Sequence, residues 1–282
     1  MYTEIPSQKG SGLQPYATPK AALEWNSQTV TFVGSIVAQA VAMGLTIWAL
    51  AESLSGSSGT GKPPLLEAVL VLELVVQVVE LVWYLVVGAL YYFRKMSIGV
   101  EYRYWDWAVT TPAMLISILL FVWYLQCDLL TVDNLLQDTS KMAAVATVVV
   151  LDWIMLLIGY AYEARWTSVT NLLDFGGGSG SGLLLGFIPF VGSFIPIFVS
   201  VYAKPDAVSW FVSILTFCIW LLYGVVAVVY ARPQDAMLKN TYYNILDVVS
   251  KNAAGITVSI VALLYTPTAI DTTVALCNVT ST

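Results

Sequence analysis

Seven long apolar stretches separated by short polar or glycine-rich breaks organise the chain, near residues 29–52, 65–93, 102–126, 141–162, 183–203, 207–231 and 238–264. Each is of the order of the roughly 20 residues that a helix needs to cross about 30 Å of hydrocarbon. Seven crossings place the two termini on opposite sides, and the short connections make sequential helices antiparallel neighbours. The expectation is an all-α membrane protein, a seven-transmembrane-helix bundle. It divides into an amino-terminal segment at 1–28, a seven-helix domain at 29–264 and a carboxyl-terminal tail at 265–282. Breaks fall at Ser53 to Pro64, at the acidic stretch Gln126 to Ser140, and at Asp174 to Gly182, whose Gly/Ser run at 176–182 reads as a flexible connection. Pro189 and Pro196 inside the fifth stretch predict a kinked helix whose freed carbonyls are satisfied by neighbours.

Composition agrees with a lipid solvent. The chain is 58% hydrophobic and 11% charged, with a mean hydropathy of +0.77, which leaves too little polar material to cover a water-soluble domain of this size. The first 28 residues have no apolar core of a cleavable signal peptide, so the first span is expected to direct insertion. Cys127, Cys218 and Cys277 are scattered, which argues against a disulfide framework or a metal cluster. The absence of histidine and of any basic cluster argues against imidazole metal sites and nucleic-acid binding. A net charge of −6 fits acidic loops, which would favour cations at the mouths.

The polar residues inside the spans carry the chemistry. Asn240, Asn244, Asp247 and Lys251 fall at i, i+4, i+7 and i+11, one face of the seventh helix. A lysine at mid-membrane depth is expensive to keep charged, so it is paired, neutralised or chemically used. The third span supplies Arg103, Asp106 about one turn inside, and Thr110 a turn further on the same face. Spans three and seven run in the same direction, so Asp106 and Asp247 can share a depth around Lys251. Two carboxylates and Arg103 about one buried cation balance in charge. A structural ion-pair network that only pins helices would use the same residues.

The segment RYWDWAVTTP at 103–112, followed by a buried D-x-x-x-K at Asp247 to Lys251, resembles the microbial rhodopsins, whose seventh-helix lysine carries retinal as a protonated Schiff base. The resemblance runs from the third to the seventh spans, through Asp152, Met155 and Gly159 in the fourth and Trp220 and Tyr223 in the sixth. It implies all-trans retinal bound to Lys251, with Asp106 as principal counterion, Asp247 as second carboxylate and Arg103 beneath them. It further implies that Thr111 and Asp152 bridge helices three and four, and that Trp107, Trp220 and Tyr223 sandwich the polyene. Flat aromatic walls are what an extended apolar ligand needs. No enzymatic reaction is expected; a lysine imine needs a nearby anion in its protonated form, and the carboxylates supply it.

Two further patterns bear on transport. The position eleven residues after Asp106, where proton-pumping relatives keep a carboxylate, is Ser117, and Lys239 stands near their proton-release carboxylate; both departures weaken an outward pump. In the second span Glu73, Gln77 and Glu80 make one polar stripe, with Glu67 nearer its start. Together with Ser35 and Gln39 of the first span and Asn240, Asn244 and Asn252 of the seventh, it can form a hydrated seam lined by acids, a cation path. The same groups could simply bond one another and hold the helices together. The pattern is similar to that of viral rhodopsins described as light-gated cation channels, with S-x-x-x-Q, E-x(6)-E, K-N-x-x-x-N and K-N at Ser35/Gln39, Glu73/Glu80, Lys239-Asn240/Asn244 and Lys251-Asn252. The expected function is a retinal photoreceptor acting as a light-gated cation channel, with a light-driven proton pump or a sensory rhodopsin as alternatives. Its expected partners are the lipid bilayer and cations or protons; assembly into a homo-oligomer stays open. The resemblance puts the amino terminus outside, whereas Lys9, Lys20, Arg94, Lys95, Arg165 and Arg232 on that side outnumber Lys62, Lys141 and Lys204 opposite, a bias that points the other way. The Asn278 glycosylation sequon would require a lumenal carboxyl end.

Overall fold

The computed structural model describes residues 26–55, 64–94, 99–126, 132–174, 181–231 and 235–264. The amino-terminal segment before residue 26, Cys127, Cys277, the Gly/Ser run at 176–180 and the Asn278 sequon lie outside the described residues.

Among the described residues seven long helices form, because a chain in lipid must satisfy its backbone groups within each segment. They are α1 (Ser27–Ser55), α2 (Pro64–Arg94), α3 (Arg103–Leu125), α4 (Thr139–Glu163), α5 (Phe187–Ala203), α6 (Ala207–Val229) and α7 (Ala236–Leu264). Six of them, with α5 lengthened by its preceding 3₁₀ turn, have the length and hydropathy to cross a membrane. The remaining one, α2, has 31 residues, mainly Leu and Val interrupted by Glu67, Glu73 and Glu80. The chain is a multi-pass membrane protein.

The bundle is ordered around α3, which is buried along nearly all its length and packs on α2, α4, α5 and α6. Helix α1 lies between α2 and α7, and α7 also touches α2 and α6, so the polar stripes of α1, α2 and α7 face a common interior. On the outside, α4 and α6 present Trp153, Ile154, Leu157, Phe211 and Leu215, an apolar surface that belongs against lipid.

Three local features set the frame. Pro112 inside α3 has no N–H to give the Ala108 carbonyl, and Trp153 Nε1 of α4 donates to that oxygen at 2.9 Å. The fifth stretch starts as a 3₁₀ turn, Ser181–Gly186, before α5. Pro189 therefore sits in the first helical turn, where no intrahelical N–H bond is required, and only Pro196 is interior. Asp138 and Asp206 cap α4 and α6, Asp138 accepting from the backbone N–H groups of Ser140 and Lys141 and Asp206 from those of Val208 and Ser209.

Candidate functional site

Helix α7 changes its winding at the site. Residues Val248–Asn252 form one π turn between the α-helical pieces Ala236–Asp247 and Ala253–Leu264. A π turn holds an extra residue, and here Asp247, Ser250, Lys251 and Asn252 are all buried.

The Lys251 amine meets three carboxylates. Its Nζ donates to Asp106 Oδ2 at 3.1 Å, and lies 3.2 Å from Glu80 Oε1 and 3.7 Å from Asp247 Oδ1. Asp106 arrives from the first turn of α3, Glu80 from the middle of α2 and Asp247 from one turn earlier on α7. Asp247 is held further by three donors: Tyr84 Oη at 2.7 Å, Arg103 Nη1 at 2.8 Å and Tyr223 Oη at 2.9 Å. Arg103 also donates to Tyr84 Oη at 2.9 Å and to Asn240 Oδ1 at 3.1 Å, and bonds Asn244 Oδ1. Three carboxylates stand against two cations. An uncompensated buried charge costs several kcal/mol, so one bound proton closes the balance. Glu80 makes no hydrogen bond within the described residues, and is the member least supplied with donors to keep it ionised.

From the amine, a cavity extends between α3, α4, α5, α6 and α7, with about 800 Å³ of space, part of it open to the outside. Its walls include Trp107, Met155, Trp220 and Tyr223, with Met114, Phe187 and Phe190 completing them. Trp107 packs edge-on to both Tyr223 and Tyr243, with ring centres 5.4 and 5.1 Å apart. Two glycines of the lining leave no room for a side chain unless a neighbour shifts. A Cβ on Gly159 would stand 2.6 Å from Tyr104 Oη, and one on Gly224 would stand 2.7 Å from the Phe187 ring. Thr111 Oγ1 donates to Asp152 Oδ2 at 2.7 Å, joining α3 to α4 behind the cavity wall. Thr110 is fully buried but outside the lining, its hydroxyl without a partner among the described residues.

The candidate path residues separate into two groups. Asn240 and Asn244 belong to the Arg103 network, Asn244 reaching α1 through Thr31 Oγ1 at 2.9 Å, while Ser35 donates to the Asn244 carbonyl at 3.1 Å. On the other side of Lys251, Gln39, Gln77 and Asn252 are buried with side-chain atoms that have no partner among the described residues. Glu73 accepts a hydrogen bond from Ser117 Oγ with one oxygen and has no partner for the other. Lys239 pairs with Glu163 of α4 at 2.7 Å.

Glu80 is thus both a stripe residue of α2 and a direct neighbour of Lys251, a role that its spacing alone did not suggest. Tyr84, which extends the Glu73–Glu80 stripe by one turn, joins the site through Asp247 and Arg103. Tyr243, one turn before Asp247, joins it through Trp107.

The family profile described as "Bacteriorhodopsin-like protein" matches residues 30–264. The chain belongs to this family. Membership of this family implies a retinal chromophore in general. Among solved structures, the viral rhodopsin OLPVRII is similar at 21% identity with a TM-score of 0.64, over 86% of this chain and 100% of that one. A blue-light-absorbing proteorhodopsin from Med12 is similar at 18% identity and TM-score 0.56, over 84% and 97%. Bromide-bound halorhodopsin from Halobacterium salinarum is similar at 16% identity and TM-score 0.57, over 84% and 94%. At these identities the likeness is one of fold. Comparison with curated protein sequences gives no match.

Proposed function

We propose that this microbial rhodopsin carries all-trans retinal as a Schiff base on Lys251 and works as a light-gated cation channel. The residues fit such a group: a buried amine at one end of an apolar cavity, aromatic faces along it, and Gly159 and Gly224 where any side chain would collide with a wall. Retinal, when bound, supplies the absorption of light and the change of shape that follows.

The chain's own residues do the rest. Asp106 at 3.1 Å provides the nearest hydrogen-bonded anion for Lys251 Nζ. Asp247 is the better-anchored second carboxylate, held by Arg103, Tyr84 and Tyr223. Trp107, Trp220, Tyr223 and Met155 orient the ligand and exclude water from its length. The Thr111–Asp152 bond locks α3 to α4.

The observation that carries the channel reading is the buried line of polar groups between α1, α2 and α7 with side-chain atoms that have no partner among the described residues: Gln39, one oxygen of Glu73, Gln77 and Asn252. Buried amides and acids without protein partners require water, and hydrated acids in a narrow seam attract cations. Arg103 with Asn240 and Asn244 closes the seam at the other end in the dark. A light-driven proton pump is the second reading, and one observation favours it: a carboxyl, Glu73, is present beside Ser117 after all, contributed by α2 instead of α3.

Voltage clamp under illumination separates the two. A channel gives photocurrents that reverse with the cation gradient, and Glu73→Gln changes their size or reversal potential. Unidirectional current that persists without a driving force would replace the channel reading with the pump.

A further inference from the structure

Beyond the amides of Gln39, Gln77 and Asn252 the polar line continues towards the carboxyl end of α7. The buried face of α1 runs Ser35, Gln39, Ala42, Thr46, Ala49 and Ser53, so Thr46 and Ser53 follow Gln39 on one face at steps of about 10 Å. Each finds a partner on another helix. Thr46 Oγ1 meets Ser259 Oγ of α7 at 3.0 Å, and Ser53 donates to Glu67 of α2 at 3.1 Å. Thr46, Ser53 and Ser259 are fully buried, whereas Glu67 stands half-buried in the first turn of α2. Three tiers therefore lead away from Lys251: amides, a pair of hydroxyls, and an acid at the aqueous end.

The middle tier is the closed one. Between Glu67 and Glu73, α2 offers only apolar residues, Ala68 to Leu72. Val69 and Leu70 among them are fully buried in one apolar cluster with Ala49 of α1 and Ala262 of α7. The hydroxyl pair bridges α1 and α7 beside this collar, and it is built to part. Its two protons serve three contacts, since Thr46 also reaches the Ala42 carbonyl at 3.1 Å and Ser259 the Gly255 carbonyl at 2.7 Å. Separation strands no donor: each proton stays with the carbonyl of its own helix, and the oxygen lone pairs are left facing the gap. Oxygen lone pairs in a widened gap are what a hard cation needs in place of its water. Ser259 is also placed to be moved. It belongs to the α-helical piece Ala253–Leu264, which follows the π turn Val248–Asn252 that carries Lys251. Taking up the extra residue of a π turn into α winding rotates the helix beyond it by about 100°, the angle of one residue. A fraction of that rotation carries Ser259 away from Thr46, whose own helix is continuous from Ser27 to Ser55.

We propose that the Thr46–Ser259 pair is the constriction that shuts the cation path in the dark on the side of the α7 carboxyl end, and that Glu67, held by Ser53, is the acid at the mouth beyond it. The inference rests on the channel reading and deepens it, naming where the path is closed and what lines its exit. A change of winding of α7 at Lys251 parts the two hydroxyls, the gap beside the apolar collar fills with water, and cations pass between the amide tier and Glu67. Only hydrogen bonds are exchanged.

The test is voltage clamp of the full-length pigment under illumination, with currents compared at equal visible absorbance. Thr46→Val and Ser259→Ala each delete one oxygen from the constriction, and should lower the photocurrent about five- to tenfold, the scale of one lost hydrogen bond, and alter the permeability ratio of sodium to potassium. Thr46→Ser keeps the hydroxyl and should conduct as the wild type does. If Ser259→Ala forms no pigment, Ser259→Cys takes its place, since a thiol fills the same volume but is a poor ligand for a hard cation. Glu67→Gln should lower the current at low ionic strength, a difference that disappears near 1 M salt, where the screening length falls to about 3 Å. Wild-type currents and permeability ratios in the Thr46→Val and Ser259 variants would overturn the constriction, as would a Thr46→Ser variant as impaired as Thr46→Val, because side-chain volume and not the hydroxyl would then matter. A Glu67→Gln current equal to the wild type at every salt concentration, or reduced equally at all of them, would overturn the mouth. Wild-type current that stays unidirectional without a driving force would remove the channel reading itself, a result read before any variant is made.

Discussion

Replacing Asp106 by Asn asks which of three carboxylates sets the field at Lys251. At an effective dielectric constant of about 20, a unit charge at the 3.1 Å of Asp106 is worth about 5 kcal/mol, and one at the 3.7 Å of Asp247 about 4.5 kcal/mol, before desolvation is counted. Those two figures are close, but the charge of Asp247 is already engaged by Arg103 at 2.8 Å, with Tyr84 and Tyr223 as further donors. Glu80 is as near as Asp106, at 3.2 Å, but it has the fewest hydrogen-bond donors among the three, so the one proton that charge balance requires is assigned to it. Asp106 therefore dominates. With retinal on Lys251 as proposed, an anion beside Nζ would stabilise positive charge held there more than positive charge spread away from it. Asp106→Asn should accordingly shift the visible absorption band to the red, while Glu80→Gln, which replaces a neutral acid by a neutral amide, should leave it close to the wild type. Absorption spectra of the reconstituted pigments at neutral pH decide the matter. A red shift in Glu80→Gln equal to that in Asp106→Asn, or no shift in Asp106→Asn, would refute the charge assignment.

Other consequences follow from single contacts. Lys251→Ala should abolish covalent retinal binding and the visible band; intact covalent pigment in that variant would show that another amine carries the ligand. Thr111→Val removes the 2.7 Å donor from buried Asp152, and should cost roughly 1–3 kcal/mol as an unsatisfied buried group, read as a lower midpoint in thermal denaturation; an unchanged midpoint would mean that water replaces the hydroxyl. At the α4 amino end, outside the membrane-spanning part, hydrogen bonds from the Ser140 hydroxyl and the Lys141 and Ser140 backbone N–H groups hold the Asp138 carboxyl below its ordinary range. Because the folded value is depressed, the cap contributes above the ordinary carboxylate range and is lost as pH falls through the lowered value. The protection of the Ser140 and Lys141 amides against exchange, relative to the unfolded-chain rate at each pH, should therefore fall on acidification in the wild type but show no such step in Asp138→Ala; identical protection profiles would remove the cap from the account.

Much of this molecule is legible along one dimension. Apolar runs of helical length, broken by Gly, Ser and Pro, announce seven crossings because hydrocarbon admits no unsatisfied backbone. Within one helix the angular position of each residue follows from its index, so Asp247 and Lys251 had to be neighbours, and Glu73, Gln77 and Glu80 had to share a face. Trp107, Trp220 and Tyr223 could be placed near the amine by resemblance. Where elements only start or stop, spacing was less informative: the fifth stretch begins as a 3₁₀ turn, and α7 takes a π turn at the lysine that no pattern of polar residues announced.

What spacing could not say is how the seven cylinders are rotated and staggered against one another. Lipid is as apolar as leucine, so burial in the membrane gives little torque to a helix, and the rotation is set by side-chain packing and by buried polar pairs formed between helices. Packing brought Glu80 to Lys251, drew Asn240 and Asn244 onto Arg103, and matched Lys239 with Glu163. It also set Glu73 against Ser117. Ser117 alone reads as a missing proton donor; with α2 beside it, the acid is there, because a carboxyl has a depth and a partner only once two helices have met.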